Sequence, residues 1–187
     1  MNRHALPALI LTATIQSAAA AVAEPAGISA ALRAPAGEQP EFMLNARGAQ
    51  IYVCKPSAAD PYGYQWVFVA PEATLLEGDK IVGRHGAGPS WESVSDHSSV
   101  KGAARERQDG GAGNIPWLLL AATASEGSGR FTGVTSVQRV ATRGGVEPTT
   151  PCGASNSGQE ARVNYTADYY FYKQKPSQVS SRPGTAY

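Results

Sequence analysis

The chain has 187 residues with 16 basic and 15 acidic side chains, so its net charge at pH 7 is +1 when histidine is neutral. A balance this close to zero provides no overall field that would attract nucleic acid or an anionic membrane surface, and neither is expected as a partner. The length suits a single domain with its own core.

The N-terminus has the pattern of a secretory signal peptide. A short basic patch precedes an apolar run over residues 5–15, and small residues then end in AVA at 21–23. This order is typical of a signal peptide with an Ala-x-Ala cleavage site. The run is too short to cross a bilayer as a helix. We therefore predict that residues 1–23 are removed, that the chain has no transmembrane segment, and that the protein is periplasmic or extracellular.

The mature chain is expected to form one domain with mobile ends. Residues 24–35 are rich in Ala, Pro and Gly, with a short helical stretch near 28–33, and they predict a flexible leader. Residues 36–173 would form the single β domain. The Ser, Pro, Gln and Lys composition of residues 174–187 predicts a disordered tail.

Short β-branched and aromatic runs separated by Gly, Pro, Asp and Ser clusters predict an all-β fold. The last run is the clearest, because Val163, Tyr165, Ala167, Tyr169 and Phe171 alternate with more polar neighbours. Residues 102–108 could instead form one turn of helix. Many short strands favour an antiparallel β-sandwich or a barrel-like domain with long Gly/Pro-rich loops, and the sequence does not choose between them. The predicted strands are 41–45, 49–54, 64–70, 80–85, 99–103, 117–123, 130–142 and 161–173.

Two cysteines, Cys54 and Cys152, are present, and both lie in the mature part of the chain. In an exported protein an even count predicts a disulfide, and two cysteines allow one pairing. A pair of free thiols or metal ligands is the alternative. A bond across a loop of about 100 residues would stabilise the fold by roughly 4 to 5 kcal/mol in the chain-entropy model.

Six motifs in order carry a family resemblance: GAQIYVC at 48–54, WVFVAPEA at 66–73, VGRHGAGPSWE at 82–92, IPWLLL at 115–120, VTSVQRV at 134–140 and VNYTADYYFY at 163–172. With these six motifs in this order, the chain resembles a family of exported bacterial and fungal proteins classed as a domain of unknown function. The resemblance spans about residues 36–172 and implies no activity. Where this family has a turn glycine, the chain has His97.

The stretch from His85 to His97 holds the candidate chemistry. His85, Asp96 and His97 are weak candidates for metal ligands, with Glu92 nearby, although their spacing matches no compact ligand motif. His85 with Glu92 could alternatively provide acid–base catalysis, because a carboxylate can orient an imidazole. If the stretch is only a structural loop, the Gly-Pro-Ser segment is a bend between strands and His97 is a turn residue.

Two tryptophans suggest a ligand site. Trp91 and Trp117 each follow a Gly/Pro-rich approach, GAGPSW and GAGNIPW. If they face an open cleft with His85, they could stack on a sugar or another flat ligand, and if they face inward they are core residues. The core is the commoner fate in a small β domain.

The glycines at 127, 129 and 133 have the wrong spacing for a dinucleotide-binding turn and lead into a predicted strand, so no cofactor is predicted. We therefore expect a non-enzymatic exported β domain that binds a small ligand, glycan or protein partner through its loops. The alternative is a metal-assisted or acid–base hydrolytic enzyme centred on His85.

Overall fold

A computed structural model describes residues 22–59 and 63–176. Eight antiparallel strands pair in chain order, and the last pairs with the first to close a barrel. This confirms the all-β prediction and selects the barrel over the sandwich. The strands are β1 (Glu38–Pro56), β2 (Tyr64–Glu77), β3 (Lys80–Gly86), β4 (Ser90–Ser93), β5 (Ser99–Gln108), β6 (Trp117–Glu126), β7 (Val134–Gly144) and β8 (Glu160–Gln174).

Within these two stretches, no helix is long and apolar enough to cross a membrane. Most of the predicted signal peptide, residues 1–21, and most of the predicted tail, residues 177–187, lie outside the described residues.

The barrel closes through its longest strands. β1 pairs along most of its length with both β2 and β8, so that Arg47 lies opposite Thr74 on one side and Thr166 on the other. Pairing on both sides keeps the chain extended between the two strands predicted at 41–45 and 49–54, which are therefore one strand. Bulges near Phe42 and Tyr52 bend β1 around the barrel.

Three further details of the predicted strand pattern are wrong. Residues 102–108 form the second half of β5 instead of a helical turn, because they pair with β6. The last predicted strand but one begins at Val134, since residues 130–133 form a turn. The short strand β4 was not predicted, because Ser90 follows a Gly-Pro turn and looks like part of it.

The predicted disulfide is confirmed. Cys54, fully buried near the end of β1, is bonded to Cys152 in the connection between β7 and β8. Two backbone hydrogen bonds hold the same place, from Gly158 N–H to the Cys54 carbonyl and from Cys54 N–H to the Gln159 carbonyl. The bond therefore secures the seam where the first and last strands meet.

One end of the barrel is filled, and we call it the closed end. Phe131, from the turn between β6 and β7, is fully buried against Phe42 and Phe171, with ring centroids 5.7 and 5.1 Å away. The Arg130 guanidinium lies 5.4 Å from the Phe42 ring and also binds the Glu77 carboxylate. Leu44, Leu75 and Val100, all with no exposed surface, complete this part of the core.

The segment before β1 contacts the outside of the barrel. Its 3-10 helix, Ala30–Leu32, buries Leu32 completely. The Gln138 side-chain amide donates to the Leu32 carbonyl at 2.5 Å, and the Tyr172 hydroxyl donates to the Gln138 side chain at 3.0 Å. The residues predicted as a leader thus have specific contacts with β7, and their flexibility stays a prediction.

Candidate functional site

A cavity of about 830 Å³ occupies the other end of the barrel, which we call the open end. It lies inside the barrel, beyond the core that fills the closed end. Each of the eight strands contributes at least one residue to its wall, and those used below are Gln50, Tyr52, His85, Trp91, Arg139 and Tyr169.

Two glycines allow close packing of the strands beside this cavity. Gly48 lies opposite Ala73, and a Cβ on Gly48 would come within 2.1 Å of the Glu72 carbonyl oxygen. Gly102 lies against Trp91, where a Cβ would meet the indole at 3.2 Å. An eight-stranded barrel is just wide enough either to be filled by its own side chains or to hold one small ligand. The cavity at the open end corresponds to the second case.

His85 and Trp91 are brought together as a cross-strand pair of β3 and β4. Their rings stack at a centroid distance of 4.8 Å and an angle of 10°. His85 Nδ1 lies 2.8 Å from the Ser90 carbonyl oxygen, and because a carbonyl can only accept, Nδ1 carries the proton. The other ring nitrogen, Nε2, is then an acceptor.

The electrostatics of His85 keep it neutral near pH 7. Only 3% of its surface is exposed, and burial lowers its pKa to about 4, with Arg139 lowering it further and the hydrogen bond to Ser90 opposing the shift. A histidine with so low a pKa is a weak base. Its side chain also has no serine hydroxyl, thiol or carboxylate as a hydrogen-bond partner among the described residues.

Arg139 is a charged, half-buried residue of the cavity wall. The sequence patterns did not indicate it as a site residue. It lies on β7 opposite Tyr169 of β8 on one side and Leu118 of β6 on the other. Its Nε and Nη2 donate to the Pro116 carbonyl at 3.1 and 2.8 Å. Arg139 lines the cavity, and its side chain also interacts with the Tyr169 hydroxyl.

One buried polar atom of this wall, Trp91 Nε1, has no hydrogen-bond partner among the described residues. The Tyr169 hydroxyl interacts with the Arg139 side chain and with Tyr165, which also interacts with Gln50. The Tyr52 hydroxyl donates to the Gly145 carbonyl at 2.7 Å. Burial raises the pKa of Tyr169, so its hydroxyl stays protonated. Buried polar groups are normally paired, so Trp91 Nε1 is an exception in this wall.

Trp117 lies apart from this group. Its neighbours Pro116 and Leu118 line the cavity, but Trp117 does not, because successive side chains of a strand point to opposite faces. Its Nε1 is buried without a partner outside the cavity. The two tryptophans therefore do not face one cleft.

The remaining candidates, Glu92, Asp96 and His97, lie away from the cavity. Asp96 accepts from Ser98 N–H at 2.8 Å and Arg130 N–H at 3.1 Å, which connects the β4–β5 loop to the turn that fills the closed end. Hydrogen bonds from Ser98 first, and then from Arg130, lower the Asp96 pKa. This carboxylate therefore has a structural role in the loop.

His97 occupies a turn position, as its place in the family resemblance suggested. Its φ of 58° lies in the left-handed region that favours glycine. Its exposed ring is 3.4 Å from Glu92. His85 is thus separated from the other predicted ligands, and no three His, Cys, Asp or Glu side chains in residues 22–59 and 63–176 come together as a metal site.

The sequence matches one family model, described as a protein of unknown function (DUF3455), over residues 76–173. The chain belongs to this family. This confirms the predicted membership of a family of unknown function. The matched part runs from the end of β2 to β8 and includes the cavity residues His85, Trp91, Arg139 and Tyr169, while Gln50 and Tyr52 precede it. No curated protein and no solved structure matches the chain.

Proposed function

We propose that this protein binds a small organic molecule in the cavity at the open end of its barrel. The observation that carries the proposal is the cavity itself, with a volume of about 830 Å³, apolar residues such as Leu118 and Leu120 in its wall, and one half-buried charged residue, Arg139. Pockets for small ligands commonly measure 300 to 1,000 Å³, roughly, and combine apolar walls with a few directed polar groups. Both features are present here.

The rim of the cavity supports an apolar ligand. Phe68 and Val69 line the opening, and about half of each side chain is exposed, at 49% and 51%. Farther inside, Leu118 and Leu120 contribute to the wall. An apolar molecule that entered here would cover surface that water now contacts, which favours binding. A glycan would meet fewer polar partners than it requires.

A binding role fits His85 better than a catalytic one. Its low pKa makes it a poor general base, and it has no nucleophile beside it. As a neutral ring stacked on Trp91, it gives the cavity floor a flat surface with one acceptor, Nε2. We therefore assign His85 and Trp91 to ligand contact.

Filling the cavity should abolish binding. Ala104 lines the opening and pairs with the inward Leu120, whereas its neighbour Ala103 pairs with Ala121 on the outer face and does not line the cavity. Ala104→Trp places an indole in the ligand's space, and Ala103→Trp is a matched control. With the neutral fluorophore N-phenyl-1-naphthylamine, we expect wild type and Ala103→Trp to bind alike and Ala104→Trp to bind at least about tenfold more weakly.

The measurement is the rise in fluorescence as the fluorophore is titrated, with circular dichroism as a check that each variant folds. Equal binding by both tryptophan variants would place the probe elsewhere and count against the cavity. Absence of any binding to the wild type would contradict the proposal as well.

Export is a second part of the proposed function. The signal-peptide pattern of residues 1–23 and the Cys54–Cys152 disulfide both favour an oxidising compartment outside the cytoplasm. When the full chain is expressed in a bacterium with two membranes, we expect mature protein in the periplasmic fraction with Glu24 as its first residue. Mass spectrometry of that fraction is the measurement. Uncleaved protein confined to the cytoplasm contradicts the prediction.

A further inference from the structure

We infer that the cavity selects an organic acid, a molecule with a flat apolar body and a carboxylate that is bound by Arg139. This rests on the proposed function and names its ligand class. Neither the family match nor the sequence motifs assign a role to Arg139. Three independent features of the open end support it: an unpaired cation, an excess of hydrogen-bond donors, and the charges around the opening.

The first feature is the missing counter-charge of Arg139. No carboxylate of the described residues lies within 4.0 Å of its guanidinium. The Pro116 carbonyl positions two of its N–H groups but carries no negative charge. A half-buried cation without an anion is costly. Guanidinium also binds a carboxylate through two parallel hydrogen bonds, so an acidic ligand would fit the free side of Arg139.

The second feature is the donor chemistry beside Arg139. Trp91 Nε1 has no hydrogen-bond partner among the described residues and can only donate, and the Tyr169 hydroxyl, whose pKa burial raises, is protonated and can donate as well. Tyr169 is the cross-strand neighbour of Arg139, so its hydroxyl and the guanidinium belong to the same part of the wall. A carboxylate offers several acceptor positions and could accept from both. A cationic ligand would be repelled by Arg139 and would offer these donors no acceptor.

The third feature is the charge around the opening. Its lining residues include two exposed arginines, Arg105 and Arg107, and one acid, Glu106. With Arg139 the lining has three positive charges and one negative charge. This balance attracts anions to the opening, although the protein as a whole is nearly neutral.

The flat apolar body follows from the rest of the wall. His85 and Trp91 form a stacked pair, and Tyr52 and Phe68 meet edge to face at 5.7 Å near the rim. Aromatic rings favour stacked or edge-to-face contacts with other rings. An aromatic acid would satisfy both the rings and the guanidinium.

The test compares 2-naphthoate with 2-naphthamide, two probes of nearly the same shape of which only the first is charged at pH 7. Each probe competes with N-phenyl-1-naphthylamine for the wild type. Because charge-assisted hydrogen bonds are stronger than neutral ones, we expect naphthoate to bind at least about tenfold more tightly than naphthamide. In Arg139→Gln the ratio should fall close to one.

Three variants make the result specific. Arg105→Gln removes an exposed charge at the rim and should keep most of the wild-type ratio. Arg139→Lys keeps the charge but loses the paired geometry, so an intermediate ratio is expected. Binding of the neutral fluorophore to Arg139→Gln confirms that its cavity is still formed. The ratio within one variant is also insensitive to a partly unfolded sample.

The outcomes separate the two proposals. If naphthoate and naphthamide bind to the wild type with equal affinity, the selection of acids is wrong and the ligand cavity remains. A ratio that is unchanged in Arg139→Gln removes Arg139 from the assignment and overturns the inference. If nothing binds to the wild type, the proposed function itself fails.

Discussion

Breaking the Cys54–Cys152 bond should lower the free energy of unfolding by about 4 to 5 kcal/mol, because the two cysteines are 98 residues apart. The loop between them contains β2 to β7, so reduction allows six strands to spread in the unfolded chain. The bond also lies at the seam of β1 and β8, whose pairing joins residues as distant as Asn45 and Asp168. Such pairings are entropically expensive to form.

The direct measurement is urea unfolding of the oxidised and the reduced wild type, which contain the same atoms apart from the cross-link and two hydrogens. For a domain of this size the midpoint should fall by about 2 M. Cys54→Ala with Cys152→Ala should match the reduced protein closely, apart from the packing lost at the fully buried Cys54. A difference of less than about 1 kcal/mol between the oxidised and reduced forms would show that the seam is held by strand pairing alone.

Acid should destabilise the protein through His85. Its pKa is about 4 in the folded state and 6.5 in the unfolded state, so between these values the unfolded chain binds more protons. The free energy of unfolding is therefore unaffected by this group above pH 6.5 and decreases as the pH falls toward 4. The decrease at pH 4 amounts to about 3 kcal/mol from this residue, at 1.36 kcal/mol for each pKa unit.

A matched pair of variants isolates this effect. His85→Gln can still donate a hydrogen bond to the Ser90 carbonyl but does not titrate, and His97→Gln changes an exposed histidine in a turn. Urea unfolding between pH 4 and pH 7 should show the acid loss in the wild type and His97→Gln and a smaller loss in His85→Gln. The acids Asp96 and Glu77, whose pKa values are lowered, titrate in all three proteins and cancel. Equal slopes in all three would mean that His85 is charged or exposed in the folded protein.

The fold was largely predictable because its strands alternate. In β8 the predicted inward face is confirmed, with Tyr165, Ala167, Tyr169 and Phe171 all buried. The failure at residues 102–108 has a clear reason, since Ala, Arg, Glu and Gln favour helices locally and pairing with β6 overrides this preference. The site was less predictable. Gln138 and Val140, on either side of Arg139, are both buried. Burial therefore does not alternate along this part of β7, and a period of two does not mark Arg139 as an inward residue.

By itself the sequence determined the all-β class, the disulfide partners, the membership of a family of unknown function and the turn at His97, since each depends on local pattern or on a cysteine count. Only the tertiary structure decided that the sheet closes, that His85 and Trp91 line a cavity while Trp117 does not, and that Arg139 faces Tyr169. The physical reason is register. Which side chains face the inside of a barrel depends on pairings between strands that are far apart in the chain, and a shift of one residue reverses every side chain of a strand.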